Sequence, residues 1–202
     1  RPIFRLAQAI AKAFRPGLVT ALLSAWVLSG PTSVALGGEE AHLGQQGAAP
    51  SSASDNRVLS VIDQLVDAGD LTAARRMLAE EVSSRGESYQ TIFLEAKLLF
   101  REKRHRESLR VLERVLALNQ HDVEAYKLVA SNAILLNRVD IAEQALKSAT
   151  QLLPNDYLVF FHLGALYCTD SRFLSAQPML EKSVSLNPDY VPAQLFLGLT
   201  LE

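Results

Sequence analysis

Residues 160–188, "FFHLGALYCTDSRFLSAQPMLEKSVSLNP", decide how this chain folds. Two runs with apolar residues at helical spacing flank a polar turn, and a Pro stands just past the second run. A helical pair this short cannot bury its own apolar faces, so it needs neighbours of the same kind. A shift of 34 residues supplies them. It lays Pro188 on Pro154, Phe160 on Tyr126, Leu163 on Val129, Gly164 on Ala130 and Tyr167 on Ala133. In the second run it lays Ala176 on Ala142, Leu180 on Leu146, Ser183 on Ala149 and Leu186 on Leu152. One shift further back gives Ile92, Ala96, Leu99, Ser108, Leu112, Val115 and Leu118, and another gives Val58, Val61, Ile62, Leu65, Ala74 and Leu78. A fixed period of this length marks a stacked array, each unit hiding its apolar stripe against the next.

The units run over 55–88, 89–122, 123–156 and 157–190, with 191–202 as the first helix of a further, truncated repeat or cap. Ala130, Ala142, Gly164 and Ala176 fall where paired helices cross, and their size lets the axes approach. Asp122, Asp156 and Asp189 sit where a carboxylate caps the free N–H groups opening the first helix of a unit. Pro178 removes a hydrogen bond and clashes with the carbonyl four residues back, so its helix is expected to start late, near Ser175, or to bend. The closing stretch "VPAQLFLGLTLE" leaves no clean polar face, where a terminal cap would have one. The native chain is therefore expected to continue.

These residues resemble tetratricopeptide (TPR) repeats, whose pattern sets a bulky residue, Leu-Gly, Tyr, Ala, an aromatic or Leu, and Pro at fixed offsets. The unit at 157–190 matches through Phe160, Leu163, Gly164, Tyr167, Ala176, Leu180 and Pro188. The unit at 89–122 departs at Glu95, where Leu is expected, and at Gln120, where Pro is expected, and the unit at 55–88 lacks the closing Pro. The resemblance implies an all-α fold, a right-handed superhelical solenoid of antiparallel helix pairs. It also implies a groove lined by the first helix of each unit. Carried onto this sequence, the groove positions include Phe93, Lys97, Phe100 and Arg101, then Lys127, Ser131 and Ile134, then Phe161, His162 and Thr169. Gln90, Leu94, Glu124, Leu128, Leu135, Leu158, Ala165 and Cys168 complete the set, some of them as inter-repeat core. The Lys and Asn clamp that some relatives use on chaperone tails is replaced here by Leu59, Phe93, Asp63 and Leu94, so no chaperone-tail binding is expected.

Composition agrees with a folded helical protein: of 202 residues 49% are hydrophobic, 21% charged and only 7% aromatic. The four cations of the first 35 residues meet no acid, which leaves 16 basic against 22 acidic side chains in the rest. A mildly acidic body has no general attraction for nucleic acid. The lone Cys168 excludes an internal disulfide.

The N-terminus reads as an address. "RPIFRLAQAIAKAFRP" is basic, "GLVTALLSAWVLSG" is apolar, and Ser33 and Ala35 have the spacing of a signal-peptidase site. Residues 1–35 are thus expected to be a secretory signal peptide cleaved after Ala35, with 36–54 as a flexible linker. An uncleaved membrane anchor is the first alternative and a mitochondrial transit peptide the second. Export points to a bacterial periplasm or the medium, and a membrane is met only through an uncleaved N-terminal segment.

Catalytic and metal-binding motifs are absent from the sequence: there is no G-x-S-x-G, P-loop, Rossmann glycine pattern or H-E-x-x-H. His42, His105 and His121 read as surface residues and Cys168 as an apolar groove or core residue. The basic stretch "REKRHRESLRVLER", 101–114, reads as a solvated turn and outer helix face, with an acidic-ligand patch as the alternative. The expected function is non-enzymatic: a protein–protein interaction scaffold that binds a protein or peptide segment in its groove, with no cofactor and no metal. The alternative is the N-terminal, substrate-recruiting arm of a longer enzyme such as a glycosyltransferase or peptidase. A further reading makes the chain an envelope-assembly component.

Overall fold

The computed structural model describes residues 51–201, with side chains from Arg57 onward. The signal segment 1–35 and linker residues 36–50 lie outside the described residues. Nine helices follow one another among the described residues: α1 Ser51–Ala68, α2 Leu71–Arg85, α3 Tyr89–Arg101, α4 His105–Leu118, α5 Val123–Leu135, α6 Val139–Leu152, α7 Tyr157–Thr169, α8 Phe173–Leu186 and α9 Val191–Thr200. No strand occurs among them. Pairs α1/α2, α3/α4, α5/α6 and α7/α8 each fill one 34-residue unit and pack on the next pair, and α9 packs on both α7 and α8. The fold is an all-α, right-handed solenoid of antiparallel helix pairs.

One turn recurs in every unit. Gly69, Lys103, Asn137 and Ser171, spaced by the repeat length, have φ of 85°, 63°, 57° and 57°. Each ends the first helix in the left-handed region, and the next residue's N–H then reaches back: Asp70 to Leu65, Arg104 to Leu99, Arg138 to Ala133 and Arg172 to Tyr167. This closes the helix C-terminus and aims the chain into the antiparallel return. Only the first of the four is Gly, so the other three hold a side chain where L-residues are disfavoured.

The N-termini are capped as the acids suggest, with one exception. Asp122 accepts from the Ala125 N–H at 3.0 Å and Asp156 from the Leu158 N–H at 2.9 Å. Asp189 does not cap. The N-cap of α9 is Tyr190, one residue later and at the same distance from Pro188 as Asp156 from Pro154, and it makes no side-chain cap bond. Asp70 caps α2, and Ser88 with Thr91 forms a reciprocal capping box on α3.

Two further expectations are corrected. Of the late start or bend expected at Pro178, the late start is the part corrected: α8 begins at Phe173, not near Ser175, and runs through Pro178. The carbonyl that loses its donor belongs to Leu174, a residue 92% exposed, where water can replace the missing bond. Residues 51–54, assigned to the linker, are the first turn of α1. Once the packed part of α1 exists, each added residue gains a hydrogen bond without a new nucleation cost.

Helix burial follows apolar patterning. α4 and α6 carry narrow apolar stripes centred on Leu112 and Leu146. α7, apolar all round, is buried without interruption from Phe161 to Tyr167. The core divides into three clusters. One joins the first pair to α3 through Ile62, Val66, Leu78 and Leu98. The second centres on Ile92, Ala96, Leu112 and Leu128. The third and largest runs from Ala130 and Leu146 through Phe161, Leu163 and Leu180 to Phe196. A polar tie adjoins the second cluster. The fully buried Asn132 donates to Ser108 Oγ at 3.0 Å and to the Leu128 carbonyl at 2.9 Å, and Ser108 donates to the Ala96 carbonyl at 2.8 Å. Asn132 Oδ1 lies 3.1 Å from His105 Nδ1.

The small-residue crossings are tight. Ala130, Ala142 and Ala176 are at most 1% exposed. A Cβ on Gly164 would stand 2.6 Å from Leu180 Cγ. Gly198, which holds the same offset in α9, has nothing within 4 Å.

Candidate functional site

The first helices of successive units stand side by side, and two ion pairs show their register. Lys97 in α3 pairs with Asp63 in α1, and Arg101 donates to Asp67 at 3.0 Å; both pairs span 34 residues. Lys97 also lies 3.4 Å from Asp67. The side chains of Lys97 and Arg101 are only 17% and 19% exposed, so their stems lie along the apolar surface while the charged ends are neutralised in place. At the next unit Lys127 donates to Glu124 at 2.8 Å. The cations of this face are therefore matched by the protein's own acids.

Four of the residues carried over as groove-lining are closed off by packing. Phe161 is 2% exposed, its ring 5.1 Å from Tyr190 and 5.4 Å from Phe196, because α9 lies across it. Phe100 is tucked into the α3–α4 core with the His105 ring edge-on at 5.5 Å. Ser131 is 3% exposed and donates to the Lys127 carbonyl. His162 is 2% exposed with its ring 5.2 Å from that of Phe161. These four are corrected from groove to core. Helical spacing alone does not separate the two, since a groove position becomes core wherever the following unit covers it. Leu94, Leu128 and Ala165 are core as well.

What stays open is a mixed strip. Phe93 and Ile134 are half-buried, Leu158 and Cys168 likewise, while Leu135 and Thr169 reach solvent. Toward the C-terminal end it continues onto α9, where Leu195 is 58% exposed. The strip is polar and internally paired over α1 and α3, and increasingly apolar over α5, α7 and α9. Such a surface recognises shape and apolar side chains more than a terminal carboxylate.

Burial sets the chemistry of His162 and Cys168, which lie in or under the strip. Desolvation, then the charge of Lys127, pushes the His162 imidazole down to about 3, so it is neutral at physiological pH. Desolvation pushes the Cys168 thiol up to about 11, which suits an inert thiol better than a nucleophile.

Elsewhere the charges are structural. Glu143 binds Arg172 at 2.5 Å, Lys147 at 2.7 Å and the Tyr167 hydroxyl at 3.0 Å. The Arg172 hydrogen bond, then that of Lys147, holds its carboxyl down to about 2. The Arg172 guanidinium also lies 4.5 Å from the Tyr167 ring centroid, which ties α6, α7 and α8 together. In the basic stretch 101–114, Arg101, Arg104 and Arg114 are already paired with Asp67, Glu102 and Glu107, and Glu87. That supports the solvated-face reading over an acidic-ligand patch. His105 is corrected from a surface residue to a half-buried partner of Asn132. No group of three or more His, Cys, Asp or Glu poised to hold a metal occurs among the described residues. No helix among them is long and apolar enough to cross a membrane.

No family model matches the chain. It is 26% identical over 124 residues to the Cell division cycle protein 27 homolog of Caenorhabditis elegans, a match spanning 61% of this chain and 15% of that protein. Solved structures resemble it over most of the described residues. MamA 41-end from Desulfovibrio magneticus RS-1 superposes with a TM-score of 0.64 at 17% identity, covering 72% of this chain and 82% of that one. A tetratricopeptide repeat protein from Parabacteroides merdae gives 0.65 at 18% identity, with 73% and 59% covered. The Cut9-Hcn1 hetero-tetramer of the APC/C gives 0.65 at 17% identity, with 73% and 30% covered. At these identities the likeness shows the fold, that of a tetratricopeptide-repeat solenoid.

Proposed function

We propose that this tetratricopeptide-repeat solenoid is a protein–protein interaction scaffold, and that it receives an extended or helical segment of its partner along the first-helix face. One observation carries the reading. After the core has closed over Phe100, Ser131, Phe161 and His162, the same face still leaves Phe93, Ile134, Leu135 and Leu158 at or near the surface beside cations that are already neutralised. Paired cations lose little when a partner covers them, and the apolar residues between them gain from burial. Rigid helices hold this surface in place before binding, which lowers the ordering cost to the partner. The mechanism is recognition, with no covalent step. The basic, apolar and small-residue order of residues 1–35 supports a site of action outside the cytoplasm, in the envelope or medium.

The double variant Phe93→Asp/Ile134→Asp tests the face at two half-buried residues that pack against the edge of the core. Captured from its own cell, the wild-type protein is expected to bring down a defined partner, and the variant to lose it while keeping its helical circular dichroism. An unchanged partner set in a folded variant rules this face out as the binding surface.

A further inference from the structure

A second recess lies where unit two breaks the repeat pattern. The cleft between α2 and α3 has a volume of about 230 Å³ and apolar walls that include Leu78, Val82 and Ile92. At about 100° per residue along α3, its lining residues Thr91 and Glu95 point away from Phe93 and Lys97, so it is distinct from the face described above. Three charged side chains line it: Arg75, Glu87 and Glu95. Two are satisfied. Arg75 is held by both carboxylate oxygens of Glu102, and Glu87 by Arg114 at 2.5 Å. Glu95 is half-buried, and no described residue supplies it a hydrogen bond or ion pair. In units three and four the same offset holds Val129 and Leu163, which pack into the core. Here a carboxylate takes that place, and α2 presents the small Ala79 to the same cleft.

We propose that this cleft binds a cationic side chain, Arg or Lys, carried between apolar residues of a protein partner, with Glu95 as its counter-ion. The apolar walls take the flanking residues and the stem of the cation. The walls also lower the local dielectric, which strengthens the charge-assisted hydrogen bond to Glu95. Glu95 has no partner within the described residues, and a guest cation supplies one. The proposal is independent of the reading for the first-helix face.

The test titrates the full isotope-labelled chain with acetyl-Leu-Arg-Leu-amide and with its citrulline counterpart, which keeps the shape and removes the charge. The Arg peptide is expected to shift the amide signals of Val82, Thr91 and Glu95, and the citrulline peptide to bind about tenfold more weakly. Glu95→Gln is expected to reduce the Arg peptide to the citrulline level. Glu95→Leu restores the residue type of the sister units, keeps the fold, and is expected to abolish the shifts. The proposal is overturned if the shifts appear at Phe93 and Ile134 instead, if none appears at millimolar peptide, or if Glu95→Gln binds the Arg peptide unchanged.

Discussion

Gly164→Val is expected to strip hydrogen-exchange protection from residues 123–201 while 57–118 keeps most of its own. Even the first added carbon would sit 2.6 Å from Leu180 Cγ and 2.8 Å from its Cδ2, with the Ala176 carbonyl at 3.4 Å. Leu180 Cγ is a branch point rather than a free chain end, and Leu180 and Ala176 are both fully buried. Neither can retreat without moving α8. Val adds two further methyl groups, and overpacking of this kind costs about 1–3 kcal/mol. The affected block is larger than the unit at 157–190. Phe161, Leu163 and Leu180 share one core cluster with Ala130, Ala142 and Leu146 of unit three and with Phe196 of α9. The block meets the N-terminal units through the Asn132–Ser108 hydrogen bond and through Ala125 and Leu128, which pack in the second cluster. Loss confined to 157–201 would mean that unit three holds on its own, and uniform loss would mean that the three clusters melt as one.

The second large effect is acid lability governed by one residue. His162 has its folded pKa lowered to about 3 from 6.5, through burial first and Lys127 second. Between those values the unfolded chain binds a proton that the folded one does not. Stability therefore falls as pH drops from about 6.5 toward 3, by on the order of 1 kcal/mol for each pH unit traversed. Glu143 adds a smaller loss at the lower end. Its folded pKa is depressed to about 2 from 4.5, so its contribution is present above 4.5 and lost as pH falls below that value. The same offset as His162 holds Leu94 and Leu128 in units two and three and Phe196 in α9, all buried. His162→Leu is accordingly expected to flatten the pH dependence of the urea midpoint between pH 6.5 and 4.5, and to raise the midpoint most at the acid end. A slope that survives the substitution would assign the lability to other groups.

The period, the helix pairs and the crossing residues were legible because they depend on size and spacing, which a sequence states directly. Gly164 was readable as a contact point for that reason, and so were the caps at Asp122 and Asp156. Asp189 failed as a cap because its helix is set by distance from Pro188, which places Tyr190 at the cap. The left-handed turns at Lys103 and Ser171 gave no signal, since neither residue type favours that conformation, whereas Gly69 and Asn137 both do. The surface was harder to read than the core. Phe93 and Phe161 hold the same offset in two units, yet α9 and Tyr190 cover one and leave the other half-open. Lys97 and Arg101 looked like ligand-binding cations until Asp63 and Asp67, one repeat back, were seen to pair with them. Glu95 was visible as a departure from the pattern. Its meaning needed the cleft, which depends on how α2 and α3 fit together.

Site-specific photo-crosslinking in the native cell tests the scaffold reading most directly. A photoreactive residue replaces Phe93 or Thr169 on the first-helix face, and Gln151 or Lys182 on the exposed sides of α6 and α8. The account predicts that Phe93 and Thr169 give one and the same protein adduct, and that Gln151 and Lys182 give none. Adducts formed equally from all four positions, or only from Gln151 and Lys182, would contradict recognition along the first-helix face.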